Sequence, residues 1–218
     1  MKTFVSWSGG KDCMFALYLY LRNKKDESCY LLNMSEADIK KSRSHGLSHT
    51  MIIAQAKAIN FPLIQEPIID GNYERSFKEA ISKLKAKGVT TGVFGDIYLH
   101  EHRVWIERVC NEMRIESVFP LWGMDTKEVI QRFISEGFKT MIVSIKKGKL
   151  SPVFLGSVID ENLLNDLRTI PDIDLCGENG EYHTFVFDGP LFNYPLPFSK
   201  VREYENDKSW LLKLENTV

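Results

Sequence analysis

Apolar residues in the first half of the chain form short continuous runs, separated by stretches where they recur every three or four positions. Lys2 to Trp7 predicts a strand, and after it Met14, Leu17, Tyr18 and Leu21 stand at i, i+3, i+4 and i+7, the spacing of one helix face. Arg22, Lys24 and Lys25 follow, where cations suit the negative end of a helix dipole. The alternation repeats with a strand at Cys29 to Met34, a polar loop, a helix around Thr50 to Ile59 and a strand at Leu63 to Glu66. Phe77, Ala80, Ile81 and Leu84 stripe the next helix, which Gly88 stops, and Thr91 to Gly95 is a strand ending at Asp96. Ile106, Val109, Cys110 and Met113 then mark a helix before a strand at Glu116 to Phe119. This alternation predicts an α/β domain, a mainly parallel sheet with right-handed crossovers and helices on both faces. Ligands of such sheets gather at the carboxyl ends of strands, where Ser8 and Asp96 fall.

Near Pro120 the pattern changes. Asp125 with Glu128 three positions on resembles a capping box, opening a helix through Ile134 that Gly137 closes. Thr140 to Ile145 and Tyr182 to Phe187 read as strands and Asp160 to Leu167 as a short helix, joined by glycine- and proline-rich connections. The expected organisation is a nucleotide-binding domain over residues 1–120 and a smaller α+β C-terminal domain over residues 121–218.

Composition narrows the function classes. The chain has 218 residues, 44% hydrophobic and 26% charged, an ordinary globular balance. A formal net charge of -1 provides no global field to draw it onto nucleic acid or an anionic membrane. No apolar run approaches a membrane span and no signal-peptide layout follows Met1, so a soluble cytoplasmic protein is expected. Cys13, Cys29, Cys110 and Cys176 are scattered and form no paired motif, so reduced, mostly buried thiols are expected.

Ser8-Gly9-Gly10-Lys11-Asp12 joins the first strand to the first helix. Two glycines let the backbone approach an anion, the helix start offers N–H groups and a positive dipole end, and Lys11 adds a mobile charge. A Walker A loop is excluded, because Val5 precedes Gly10 by five positions and Asp12 follows Lys11. A dinucleotide fingerprint is excluded because Cys13 stands where the third glycine belongs. The remaining reading resembles the PP-loop of the ATP pyrophosphatase superfamily, Ser-Gly-Gly-x-Asp-Ser, with Cys13 replacing the final serine by a weaker donor.

A second unusual stretch is Cys176-Gly177-Glu178-Asn179-Gly180-Glu181-Tyr182-His183-Thr184-Phe185, two carboxylates among glycines directly before a strand. With Gly95-Asp96-Ile97, Arg103, Leu121-Trp122-Gly123 and Asp188-Gly189-Pro190-Leu191-Phe192, the two motifs resemble the diphthine-ammonia ligase family over nearly the whole chain. That family carries Ser-Gly-Gly-Lys-Asp-Ser and Cys-Gly-Glu-Gly-Gly-Glu-Tyr-Glu-Thr, from which Cys13, Asn179 and His183 depart. Asn179 can adopt a left-handed backbone and keep the loop, whereas His183 replaces an acid.

The resemblance implies an adenine nucleotide α-hydrolase-like domain and an AMP-forming amide ligase using ATP, Mg²⁺ and ammonium. Its nucleotide residues would be Ser8, Gly9, Gly10, Lys11, Asp12, Cys13, Gly95, Asp96 and Arg103, with Lys11, Asp12, Glu178 and Glu181 catalytic. Gly177, Glu178, Gly180, Glu181, Tyr182 and Thr184 would meet the substrate, a carboxylate such as diphthine, carried on the elongation factor in archaea and eukaryotes. Asp96 is either a magnesium or nucleotide ligand or a helix N-cap. Lys2 stands where a fused glutaminase would need cysteine, so free ammonium is the expected nitrogen source.

Two other readings of the PP-loop are an RNA-modifying enzyme of thiolation or amination and a non-catalytic ATP or AMP sensor; neither a basic surface nor a cysteine pair supports the first. The pairs His100/His102 and His45/His49 read as surface histidines rather than a metal site, and Lys40-Lys41-Ser42-Arg43 as a solvated loop or a nucleotide lid. Phe192, Tyr194 and Phe198, among prolines, read as packing against the domain or between subunits of a homo-oligomer.

Overall fold

The computed structural model describes residues 2–22, 24, 28–36 and 46–217. Lys25, the Lys40–Arg43 run and His45 lie outside the described residues. The chain divides into two compact units, one of Met1–Ser8, Asp12–Arg43 and Phe61–Gly123, the other of Gly9–Lys11, Ser44–Asn60 and Met124–Val218.

In the first unit β1 (Lys2–Ser6), β2 (Ser28–Ser35), β3 (Leu63–Pro67), β4 (Val89–Val93) and β5 (Glu116–Val118) form a wholly parallel sheet in the order β3-β2-β1-β4-β5. Central β1 buries Thr3, Phe4 and Val5 completely, which is why it reads as an apolar run without alternation. The helices of this unit are α1 (Lys11–Arg22), whose first residue is Lys11, and the later pair flanking β4. Met14 and Leu17 of the expected stripe are fully buried, as is Phe15, which the stripe does not include, whereas Tyr18 and Leu21 are half-buried.

The helix between β2 and β3, α2 (His49–Ala58), belongs to the second unit. It buries Met51, Ile52, Ala54, Gln55, Ala56 and Ala58 around most of its circumference, the mark of an interior helix rather than a one-faced one. Ser48 caps it by accepting the Met51 N–H. In the first unit α3 (Tyr73–Ala86) and α4 (His100–Glu112) carry the predicted stripes. They enclose Phe4, whose ring meets Phe77 and Phe94 edge-on at 6.2 and 5.8 Å. Truncating so enclosed a phenylalanine to alanine costs about 3–5 kcal/mol.

The second unit holds α5 (Thr126–Ser135) and β6 (Lys139–Lys146), then α6 (Glu161–Arg168) and β7 (Tyr182–Asp188), and closes with β8 (Phe198–Glu205) and β9 (Ser209–Asn216). Its sheet is antiparallel in the order β7-β6-β9-β8. Asp125 caps α5 by accepting N–H groups of its first turn, as the sequence predicts, and Asp160 does the same for α6. The β8–β9 hairpin is an element the sequence pattern does not predict. Most of β8 is exposed and charged, so it lacks a buried alternating face, and its turn is closed by Asn206, whose carboxamide oxygen accepts from Lys208 and Ser209. Among the described residues no helix is long and apolar enough to cross a membrane.

Candidate active site

Within the first unit, the chain leaves β1 through Trp7, whose N–H donates to the Leu32 carbonyl, and reaches Ser8. The Ser8 hydroxyl lies 3.4 Å from the Cys13 sulfur, so the residue replacing the usual serine still partners the start of the motif. Gly95 is fixed by close packing: a Cβ there would come within 2.7–2.9 Å of the Asp12 carbonyl group and the Cys13 nitrogen. Only glycine lets β4 exit so near the first turn of α1.

Asp96 is not a helix cap, since α4 has Leu99 at its N-cap with no side-chain bond. Its carboxylate is hydrogen-bonded to His102 Nδ1, and the His102 ring stacks on Trp105. Arg103 pairs with Glu107 at 2.7 Å and lies over the Trp122 ring, 4.5 Å from its centroid. Among the described residues no group of three or more His, Cys, Asp or Glu could hold a metal by itself.

In the second unit, Gly9 to Lys11 lie along β7. Gly9 has φ +86°, and a Cβ there would meet Ile52 Cδ1 at 2.8 Å. Its carbonyl accepts from the Val186 N–H at 3.1 Å and from the Gln55 carboxamide at 3.0 Å. Gln55, fully buried, sends its other N–H to the Val186 carbonyl at 2.6 Å. Both backbone polar groups of Val186 are thus met by the glycine loop and one glutamine.

Lys11 is 4% exposed. Its backbone N–H donates to the Thr184 hydroxyl at 3.1 Å, and its ammonium group is 5.8 Å from the Tyr182 ring centroid. This revises the simple picture of a helix start presenting all its amides to phosphate, because the Lys11 amide is engaged by β7.

The acidic stretch is a turn built on Asp174. Its Oδ1 accepts from the Cys176 and Glu178 N–H groups at 2.7 and 3.4 Å, while its own N–H donates to Glu181 Oε1 at 3.2 Å. Gly177 and Gly180 take φ of 72° and 76°, whereas Asn179 is not among the described residues at positive φ, so the loop does not need it left-handed. The two glutamates differ. Glu178 is half-buried, but Glu181 is 2% exposed and its Oε2 is buried with no hydrogen-bond partner. Tyr182 is also buried and its hydroxyl donates to the Leu175 carbonyl at 2.5 Å, so it supports the turn from below. Burial and the positive charge of Lys11 together pull the His183 ring down to about 4, leaving it neutral at physiological pH.

Residues 1–117 match the family model of the diphthamide synthase N-terminal domain, and residues 125–217 that of its C-terminal domain. The chain belongs to the diphthamide synthase family. Diphthine–ammonia ligase of Homo sapiens is 27% identical over 163 residues, covering 67% of this chain and 61% of that protein. The Danio rerio diphthine–ammonia ligase is 26% identical over 208 residues, covering 85% of this chain and 81% of its own. This chain therefore spans less than two thirds of the human relative. A solved structure described as a predicted subunit of tRNA methyltransferase, from Methanocaldococcus jannaschii, overlaps 85% of this chain and 95% of its own at 19% identity, with a TM-score of 0.44.

Within this chain, sequence reasoning missed Gln55 and Asp174. Each left a signal: Gln55 is a lone carboxamide in an apolar helix, and Asp174 stands two residues before Cys176-Gly177, the spacing of an Asx turn.

Proposed function

We propose that this chain is an ATP-dependent, AMP-forming ligase that joins ammonia to a carboxylate of the diphthine type. The observation that carries the reading is that β7 serves two chemistries: Thr184 and Val186 hold the glycine loop, and the turn ending in the half-satisfied Glu181 leads directly into the same strand. A phosphate grip and a buried anionic socket within one unit suit an enzyme that brings a nucleotide together with a cation, and a simple ATP sensor has no use for the socket.

In this reading Ser8, Gly9, Gly10, Asp12 and Cys13 position the triphosphate, and Lys11 provides the charge that balances departing pyrophosphate. Gly95 keeps the loop's exit compact, while Arg103 and Asp96 complete the nucleotide residues. Mg²⁺, when bound, offsets phosphate charge; it needs only one or two carboxylates beside phosphate oxygens, a role open to Asp96 in the first unit. Glu181 receives ammonium or the substrate's quaternary nitrogen, Glu178 assists at the rim, and Gly177 and Gly180 shape the turn. The substrate carboxylate attacks the α-phosphorus with loss of pyrophosphate, and ammonia then displaces AMP to leave the amide. The carrier of the carboxylate would be an elongation factor where the cell has diphthine.

The test is to incubate the protein with Mg-ATP, ammonium and a diphthine-bearing protein, and to measure AMP, pyrophosphate and amide. Amide and AMP in equal amounts, both requiring ammonium and the diphthine protein, are expected. Pyrophosphate release that depends instead on RNA would assign the chain to base modification, and nucleotide binding without turnover would make it a sensor.

A further inference from the structure

We propose that Gln55 and Thr184 are positioning residues that set the conformation of the nucleotide loop, neither of them touching ATP or the carboxylate. The inference rests on the reading of Gly9 to Lys11 as the phosphate grip, and it moves Thr184 from substrate contact to loop support.

The geometry is specific. A glycine pair has little intrinsic preference between opposite orientations of its central peptide, because neither residue carries a Cβ to bias φ. Here the orientation is imposed from outside. The Gly9 carbonyl is held by two donors, the Val186 N–H at 3.1 Å and Gln55 Nε2 at 3.0 Å. In a trans peptide the N–H points opposite to the carbonyl, so pinning the Gly9 oxygen on β7 turns the Gly10 N–H away from the strand. Gln55 is suited to the task because both hydrogens of its carboxamide are used, the second on the Val186 carbonyl at 2.6 Å. One side chain therefore ties the loop and the strand edge together at a fully buried point.

Thr184 fixes the other end of the same segment. Its hydroxyl accepts the Lys11 N–H at 3.1 Å, which anchors the backbone from which the lysine side chain projects. Thr184 and Val186 stand two positions apart on β7, the first contributing its side-chain hydroxyl and the second its backbone N–H and carbonyl, so the segment is held at both ends by one strand. The ammonium group of Lys11 is thus aimed by a hydroxyl, and the glycine peptide by a carboxamide.

Each variant of these two residues removes hydrogen bonds while keeping volume. Gln55→Met deletes both donors, and Thr184→Val deletes the acceptor while keeping the branched shape; Thr184→Ser restores the hydroxyl. Equilibrium binding of ATP and steady-state kinetics are measured on the full chain, together with the thermal midpoint. Thr184→Val and Gln55→Met are expected to weaken ATP binding about tenfold, the scale of one buried hydrogen bond, with the ammonium KM unchanged and Thr184→Ser close to wild type. Folded Thr184→Val with wild-type ATP affinity overturns the proposal, whether or not Gln55→Met folds, and a lower midpoint with unaltered affinity does the same by making the residues purely structural. Wild-type protein that binds no ATP instead refutes the functional reading on which the inference stands.

Discussion

Replacing Gly9 by alanine tests the packing of the glycine loop most directly. The backbone there sits at φ +86°, where an L side chain costs about 1–2 kcal/mol. The new Cβ would also lie 2.8 Å from Ile52 Cδ1, 3.2 Å from Gln55 Oε1 and 3.3 Å from Leu47 Cδ1. Ile52 is fully buried, so it has little room to withdraw, and overpacking of this kind adds about 1–3 kcal/mol. Gly137→Ala isolates the first contribution, because Gly137 lies in the same unit at φ +92° and a Cβ there would have nothing within 4 Å. Urea unfolding of the two variants should therefore differ by the steric part alone, Gly9→Ala being less stable by about 1–3 kcal/mol, with ATP binding impaired only in Gly9→Ala. Equal destabilisation, or a Gly9→Ala protein that binds ATP normally, refutes the packing of the loop against α2.

Other consequences concern charge and thiols. The His183 ring is held near 4 by burial and Lys11, below its ordinary 6.5, so as pH falls below 6.5 the unfolded chain takes up a proton that the folded one refuses; stability present at neutral pH is lost progressively toward pH 4, and His183→Gln should flatten that part of a pH-dependent unfolding curve. Glu181→Gln should raise the ammonium KM and depress amide formation while leaving the ATP KM near wild type, and Glu178→Gln should do so more weakly, because only Glu181 is sequestered from water; equal effects of the two changes would count against the buried socket. All four cysteines are buried, and burial raises the Cys110 thiol to about 12, so a thiol reagent should label the native protein far more slowly than the urea-unfolded one. Cys13→Ser, which restores the family's residue, should keep the contact with Ser8 and lose no activity.

The parallel sheet is legible in the sequence because each of its strands is either a continuous apolar run or is followed by a helix with a clean stripe, and these signals are local. The destination of α2 is not, since a helix of alanines with one buried glutamine carries no marker of which sheet it will join. For β8 the difficulty is the opposite: an exposed edge strand rich in Lys, Arg and Glu looks like a loop until its partner β9 is known. At the site, residue types point to anion and cation chemistry, but the division of labour between neighbours depends on contacts across more than a hundred residues. Thr184 illustrates it: the motif flags the residue, whereas its bond to Lys11 spans 173 positions. Spacing alone leaves Asp96 between ligand and cap, and the start of α4 at His100, with Leu99 before it, removes the cap.

That long span bears on biosynthesis. The chain crosses between its units five times, and the glycine loop, made among the first residues, has no strand to lie on until β7 has been synthesised. A nascent or truncated polypeptide ending before Tyr182 can complete the α/β sheet yet leave the glycine loop without the strand that shapes it.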